Sequence, residues 1–243
     1  MVNSLINFPV VLSVAISLAL LPSLSFLVSQ NNLAEANQKL KEIFNLIWLI
    51  LMPCVVVFVV LAGAIVGVLY VGIDDYLIKI TTLLLQISAF EILFISILQI
   101  STAVFQSIDK PNVPVYILMA SGVVKVVLTF LLVGNPAINI YGLALANLVF
   151  YGLAGLSSLY FAKKIFKFSL PIKTLLVSIS SLATMGASFY FINVFIANIW
   201  AKLLLIGFAG IVFYIVPILF FDLLNLRGKK FLTMLAKKSI AEK

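Results

Sequence analysis

The chain has 243 residues, of which 64% are apolar or aromatic and only 10% charged, with a mean hydropathy of +1.26. A soluble domain carries roughly 45–50% apolar and about 25% charged residues, so the surplus here faces lipid and the chain reads as an integral membrane protein. There is no histidine and one cysteine, Cys54, inside an apolar run, which excludes disulfides, Cys/His zinc sites and a histidine general base, and with them most hydrolase and oxidoreductase chemistry.

A helix needs about 20 predominantly apolar residues to cross a hydrocarbon core about 30 Å thick. Seven such stretches follow one another, at 5–28, 43–71, 78–106, 113–134, 138–162, 171–196 and 201–224. The first is too long for a signal peptide and lacks a basic leading segment, so it reads as a retained helix. The connections are short and polar or rich in turn formers: Gln30-Asn31-Asn32, Gly72 to Asp75, Asp109 to Pro114, and Asn135-Pro136. No soluble domain fits between the spans. The expected architecture is all-α and polytopic: a seven-helix lobe over residues 1–225, then a basic tail over 226–243. In that tail Phe231, Leu232, Leu235 and Ile240 alternate with Lys229, Lys230, Lys237 and Lys238, which suits either a basic helix lying on anionic lipid or a solvated tail.

The net charge of +8 is first an orientation signal and gives no reason to invoke nucleic acid. One side of the seven spans collects Lys39, Lys41, Lys110, Lys163, Lys164, Lys167, Lys173, Arg227, Lys229, Lys230, Lys237, Lys238 and Lys243; the other collects only Lys79 and Lys202. The bias places the loops after spans one, three and five, and the C-terminus, in the cytoplasm. The N-terminus is then outside with no charge to hold it there, so the chain reads as the second part of something longer.

Two ionisable side chains fall within spans: Glu91 in the third and Lys125 in the fourth. Each costs roughly 2.5–3.5 kcal/mol at mid-helix and should face protein or a water-filled cavity. On a helical wheel Thr81, Ser88, Glu91, Gln99, Thr102 and Gln106 share one side of the third span, and Ser121, Lys125 and Thr129 recur every four residues on the fourth. Asn147 and Tyr151, one turn apart on the fifth, can reach the same region. These residues suit a polar cavity that passes a hydrophilic or charged group. Equally, Glu91 and Lys125 suit a buried ion pair that fixes packing and touches no substrate. Small residues on the fifth span, Gly142 with Ala146 and Gly152 with Gly155 and Ser158, point to close helix packing. Asp74-Asp75 alone makes no metal site. No phosphate loop, nucleophile elbow or metal-ligand cluster is present, so no cofactor is expected.

The stretch from Ala15 to Ser25 (AISLALLPSLS), followed by a polar linker and a helix carrying Pro53, resembles the eighth and ninth helices of polysaccharide-biosynthesis membrane proteins of the stage V sporulation protein B type. These belong to the multidrug/oligosaccharidyl-lipid/polysaccharide exporter superfamily. The similarity continues through Gln99 to Lys110 (QISTAVFQSIDK), Val123 to Leu128 (VVKVVL), Ile140 to Ala146 (IYGLALA) and Tyr160 to Lys164 (YFAKK), over about residues 5–165. The resemblance implies two pseudo-symmetric helical lobes that flip polyprenyl-linked saccharides by alternating access, of which this chain is the C-terminal lobe. It places Lys125 where the family carries a lysine. It also implies that the cations holding the pyrophosphate lie largely in the first lobe, as in related lipid II flippases, so an N-terminal partner lobe or a homo-oligomer is expected beside the membrane lipid itself.

The substrate or cavity candidates are therefore Glu91, Gln99, Thr102, Gln106, Ser121, Lys125 and Asn147. The readings in competition are a half of a cation-coupled multidrug exporter with Glu91 as its carboxylate, a non-transporting accessory membrane protein, and a membrane enzyme, for which only Asp74 and Asp75 stand at the outer surface. Glu91→Ala and Lys125→Ala are each expected to lower folded yield, the double change costing less than the sum; strict additivity in yields from detergent extracts would mean that the two groups do not meet.

Overall fold

A computed structural model describes residues 2–70, 72–136 and 138–166 and, beyond them, 179, 183, 185–189, 192, 208–210, 212 and 214. The described chain is helical, in the order α1 (Val2–Ser29), α2 (Leu33–Val60), α3 (Ala62–Leu69), α4 (Asp75–Ala89), α5 (Glu91–Ser107), α6 (Asn112–Val133) and α7 (Tyr141–Phe166). Among the described residues five segments are long and apolar enough to cross a membrane: α1, α2, the continuous stretch Asp75–Ser107, α6 and α7. They coincide with the first five predicted spans, and the protein is an all-α polytopic membrane protein. The predicted spans at 171–196 and 201–224 lie almost entirely outside the described residues, as do the boundary at 225 and the basic tail. The packing divides the chain into two units, Met1–Ile172 and Lys173–Lys243. Within the second, Gly210 lies against Phe189 and Met185, both buried, so close that an added Cβ would stand 3.0 Å from the Phe189 ring.

In the first unit α5 is the central helix. Twelve of its 17 residues are buried, and it packs along α1 and α7. Its neighbours approach closely because the contacts are small. An added Cβ at Gly155 of α7 would sit 2.6 Å from the Phe94 carbonyl oxygen of α5, and one at Gly142 would sit 2.8 Å from Leu132 of α6. Apart from Phe166, the buried residues of α7 are all Gly, Ala or Ser. In lipid, helices gain little from hiding apolar surface and associate through such close van der Waals contact. Three of the buried serines, Ser13, Ser96 and Ser107, donate to carbonyls of their own helices at 2.6–2.8 Å, which satisfies those hydroxyls without a partner helix, while the hydroxyls of Ser17, Ser101 and Ser158 are buried without a partner.

Two features depart from the sequence expectation. α2 starts at Leu33, ten residues before the apolar run, because Asn32 caps it: the Asn32 Oδ1 accepts from the Glu35 N–H at 3.2 Å while its Nδ2 donates to the Glu35 carboxylate at 2.8 Å. The second and third spans are also interrupted. The chain leaves the helix at Leu61 (φ −100°, ψ 7°) between α2 and α3. It tightens at Phe90 between α4 and α5, where Phe90 N–H donates to Ile87 O at 3.4 Å and Leu93 N–H to Phe90 O at 3.3 Å, an i to i+3 pattern.

Gly155→Ala is expected to force α5 and α7 apart and to lower stability by about 1–3 kcal/mol, whereas Gly122→Ala, which meets open space, is expected to be neutral. Thermal unfolding of the purified protein in detergent compares the two.

Candidate transport site

Thr81, Leu84 and Ser88 recur at i, i+3 and i+7 along one face of α4, and with them stand Ile140, just before α7, and Leu143, Ala144 and Asn147 in its first turns. Val2 and Asn3 of α1 complete the lining of an open cavity of about 260 Å³ at the end of the bundle that carries the start of the chain. Its polar groups are neutral amides and hydroxyls. Ser88 also lies beside the Glu91 carboxylate, three residues on and across the break at Phe90.

Glu91 is 4% exposed, and among the described residues its Oε1 has no hydrogen-bond partner; the Asn147 Oδ1 is likewise buried and unpartnered. Unmet acceptors inside a membrane protein are expensive; among the described residues Ser17, Asn37, Asn45, Ser101 and Ser158 also carry buried side-chain atoms without a partner, so the feature is spread through the bundle. Lys125 from α6 and Tyr151 from α7 lie close enough to Glu91 to interact with it electrostatically. The lysine does not form a close ion pair with it. Its Nζ instead stands 5.2 Å from the centroid of the Phe150 ring, a cation–π arrangement. Phe150 in turn meets the Tyr151 ring edge-on, with centroids 4.8 Å apart.

The remaining candidates are dispersed. Gln99 is half-buried. Thr102 donates its hydroxyl to Leu98 O of its own helix at 2.8 Å. Gln106 is exposed near the end of α5. Ser121 is one of only two buried residues of α6, with Pro114. Of the seven candidates, only Asn147 is in the cavity lining and Glu91 is next to it; the polar side of the third span divides at the Phe90 break, its α4 part facing the cavity. Two contributors escaped sequence reasoning, Phe150 and Gln86. An aromatic residue in an apolar helix carries no signal of its own, but Gln86 was a polar group in a membrane span without an assigned partner. Its Nε2 donates to the Val59 carbonyl oxygen at 2.8 Å.

A sequence profile of the family described as lipid II flippase MurJ matches residues 3–214. The chain belongs to this family. The match bears out the resemblance to exporters of lipid-linked saccharide precursors and extends it beyond residue 165, into the region of the last two predicted spans. Among curated proteins none matches the chain closely enough to count as a relative. Family membership and the apolar helices together mark a multi-pass membrane protein of a transporter family.

Lys125→Met and Phe150→Leu are each expected to destabilise the fold, with a mutual coupling of about 0.5–2 kcal/mol. Equilibrium unfolding in mixed micelles measures it, and Lys125→Met combined with Gln106→Ala, a residue exposed at the far end of α5, provides the additive control.

Proposed function

We propose that this chain is the C-terminal lobe of a plasma-membrane transporter that flips lipid-linked cell-envelope saccharide precursors by alternating access. Family membership supports the reading, and the observation that carries it is the cavity among membrane-spanning helices with Asn3, Thr81, Ser88 and Asn147 as its polar lining. A cavity lined by amides and hydroxyls among apolar helices suits part of a hydrophilic headgroup. The lobe extends over residues 1–225 and the basic tail over 226–243. The charge bias puts the N-terminus outside and the C-terminus in the cytoplasm. The cavity lining holds no cation among the described residues, and a pyrophosphate needs one. The lobe therefore works with a partner lobe, or a second copy, that supplies the positive charge. The role is transport, with no bond made or broken.

A second reading takes Glu91 as the carboxylate of a cation-coupled exporter. Its free Oε1 beside Ser88 favours a part in ion coupling, and drug efflux that depends on sodium or pH and is lost in Glu91→Gln would support it.

The test uses protein purified from native membranes with whatever chains accompany it, reconstituted in vesicles with a fluorescent polyprenyl-pyrophosphate disaccharide. Flipping is read as the fraction of label that an impermeant reductant cannot reach. Losing a hydrogen-bonding group costs about 1–3 kcal/mol, so Asn147→Leu is expected to slow flipping roughly tenfold. Wild-type vesicles that flip no faster than protein-free ones overturn the reading.

A further inference from the structure

The residues from Ala62 to Ala89 are set apart from the rest of the first unit by a helix break at each end, Leu61 and Phe90. Within that segment α3 and α4 pack on each other, Gly63 facing the Thr82 side chain at ordinary contact distance, and they are joined by a turn in which Gly72 adopts φ +90°. The two helices form a hairpin, with Gly72 in the left-handed region of its connection.

The hairpin is held far less firmly than what lies beyond it. Three of the 15 residues of α4 and two of the eight of α3 are buried, against twelve of 17 in α5, which continues the same span. Elements with few buried contacts open first, and sharp changes of helix geometry are where rigid segments pivot. The two breaks are also neighbours in space. Gln86, four residues before Phe90, donates to the carbonyl of Val59, two residues before Leu61. In an unbroken helix that carbonyl would accept from the N–H of Gly63; here it is free, and a side chain of the hairpin takes it. Finally, Thr81, Leu84 and Ser88 put α4 on one wall of the cavity, while the rest of the lining belongs to α1, to Ile140 and to α7, and both helices pack on the central one.

We propose that α3 and α4 swing as one body about paired hinges at Leu61 and Phe90, latched by the Gln86–Val59 hydrogen bond, and that this movement opens and closes the cavity. The lever is long enough to matter. At 1.5 Å per residue α4 extends about 22 Å from Phe90, so a turn of about 10° displaces its far end by about 4 Å, more than the diameter of a water molecule. The movement takes place inside one lobe and is separate from any rocking of one lobe against another. Ser88 is the point of transmission, since it lines the moving wall and stands two residues before the hinge at Phe90.

Pulsed dipolar spectroscopy on the full chain in lipid nanodiscs decides the matter without reference to transport, so a failed flipping assay leaves it standing. In a Cys54→Ser background, spin labels at Gly67→Cys and Leu156→Cys report the hairpin against α7. Labels at Leu18→Cys and Leu156→Cys report two helices of the packed body. An added side chain at Gly67 meets open space, and Leu18 and Leu156 are exposed. The expected result is one narrow distance for the body pair and a split or distinctly broader distribution for the hairpin pair, shifted outward when Gln86→Leu removes the latch. Equally narrow distributions for both pairs overturn the proposal. Should Gln86→Leu not fold, the comparison of the two pairs with Gln86 intact is decisive by itself.

Discussion

The approach of α7 to α5 at Gly155 governs the rest of the first unit. Helices in lipid must find each other without the driving force that assembles soluble cores, since the acyl chains are as apolar as any leucine. What remains is contact between backbones, and Gly155 allows it by leaving nothing between the α7 main chain and the Phe94 carbonyl. That contact fixes α5 at the centre. With α5 placed, α1 packs along its other side, and α6 is carried by its own close seam with α7 at Gly142. Glu91 at the head of α5, Lys125 on α6 and Phe150 on α7 then share one region as a by-product of the same geometry.

Charge in that region is arranged loosely. A tight ion pair between Glu91 and Lys125 would have satisfied both groups and locked α5 to α6, at the expense of desolvating both charges. Instead the ammonium rests on an aromatic face and leaves one carboxylate oxygen unmet. Such an arrangement holds less energy than a closed pair and leaves the carboxylate available, which suits a lobe whose polar interior has work to do beyond holding its own helices.

The apolar runs made the spans legible, because length and hydropathy are one-dimensional properties that survive any tertiary arrangement. Glu91 and Lys125 were legible for the same reason: a charge in such a run stands out whatever surrounds it. The interruptions were not. Leu61 and Phe90 are apolar residues in apolar neighbourhoods, and nothing local distinguishes them from residues that continue a helix. Only the pairing of Gln86 with a carbonyl 27 residues earlier reveals the first break, and that is a contact in space. The early start of α2 was missed for a different reason, its first turns being polar enough to pass for a loop although Asn32 and Glu35 cap them as a helix. The candidate residues of the third span were identified by side, yet the wheel assumes an unchanging turn per residue, and the tightened turn at Phe90 lies between Ser88 and Gln99, Thr102 and Gln106.

The length of α2 has a consequence for where its break can lie. Its apolar surface starts near Ile43, and Leu61 follows eighteen residues later, a rise of about 27 Å against a hydrocarbon thickness of about 30 Å. Leu61 therefore closes the α2 part of the crossing slightly short of the hydrocarbon thickness, and the apolar α3 continues it beyond the break. A crossing made of two helical pieces opens a backbone carbonyl at their junction, and the Gln86 side chain takes the place that water takes where a chain is exposed.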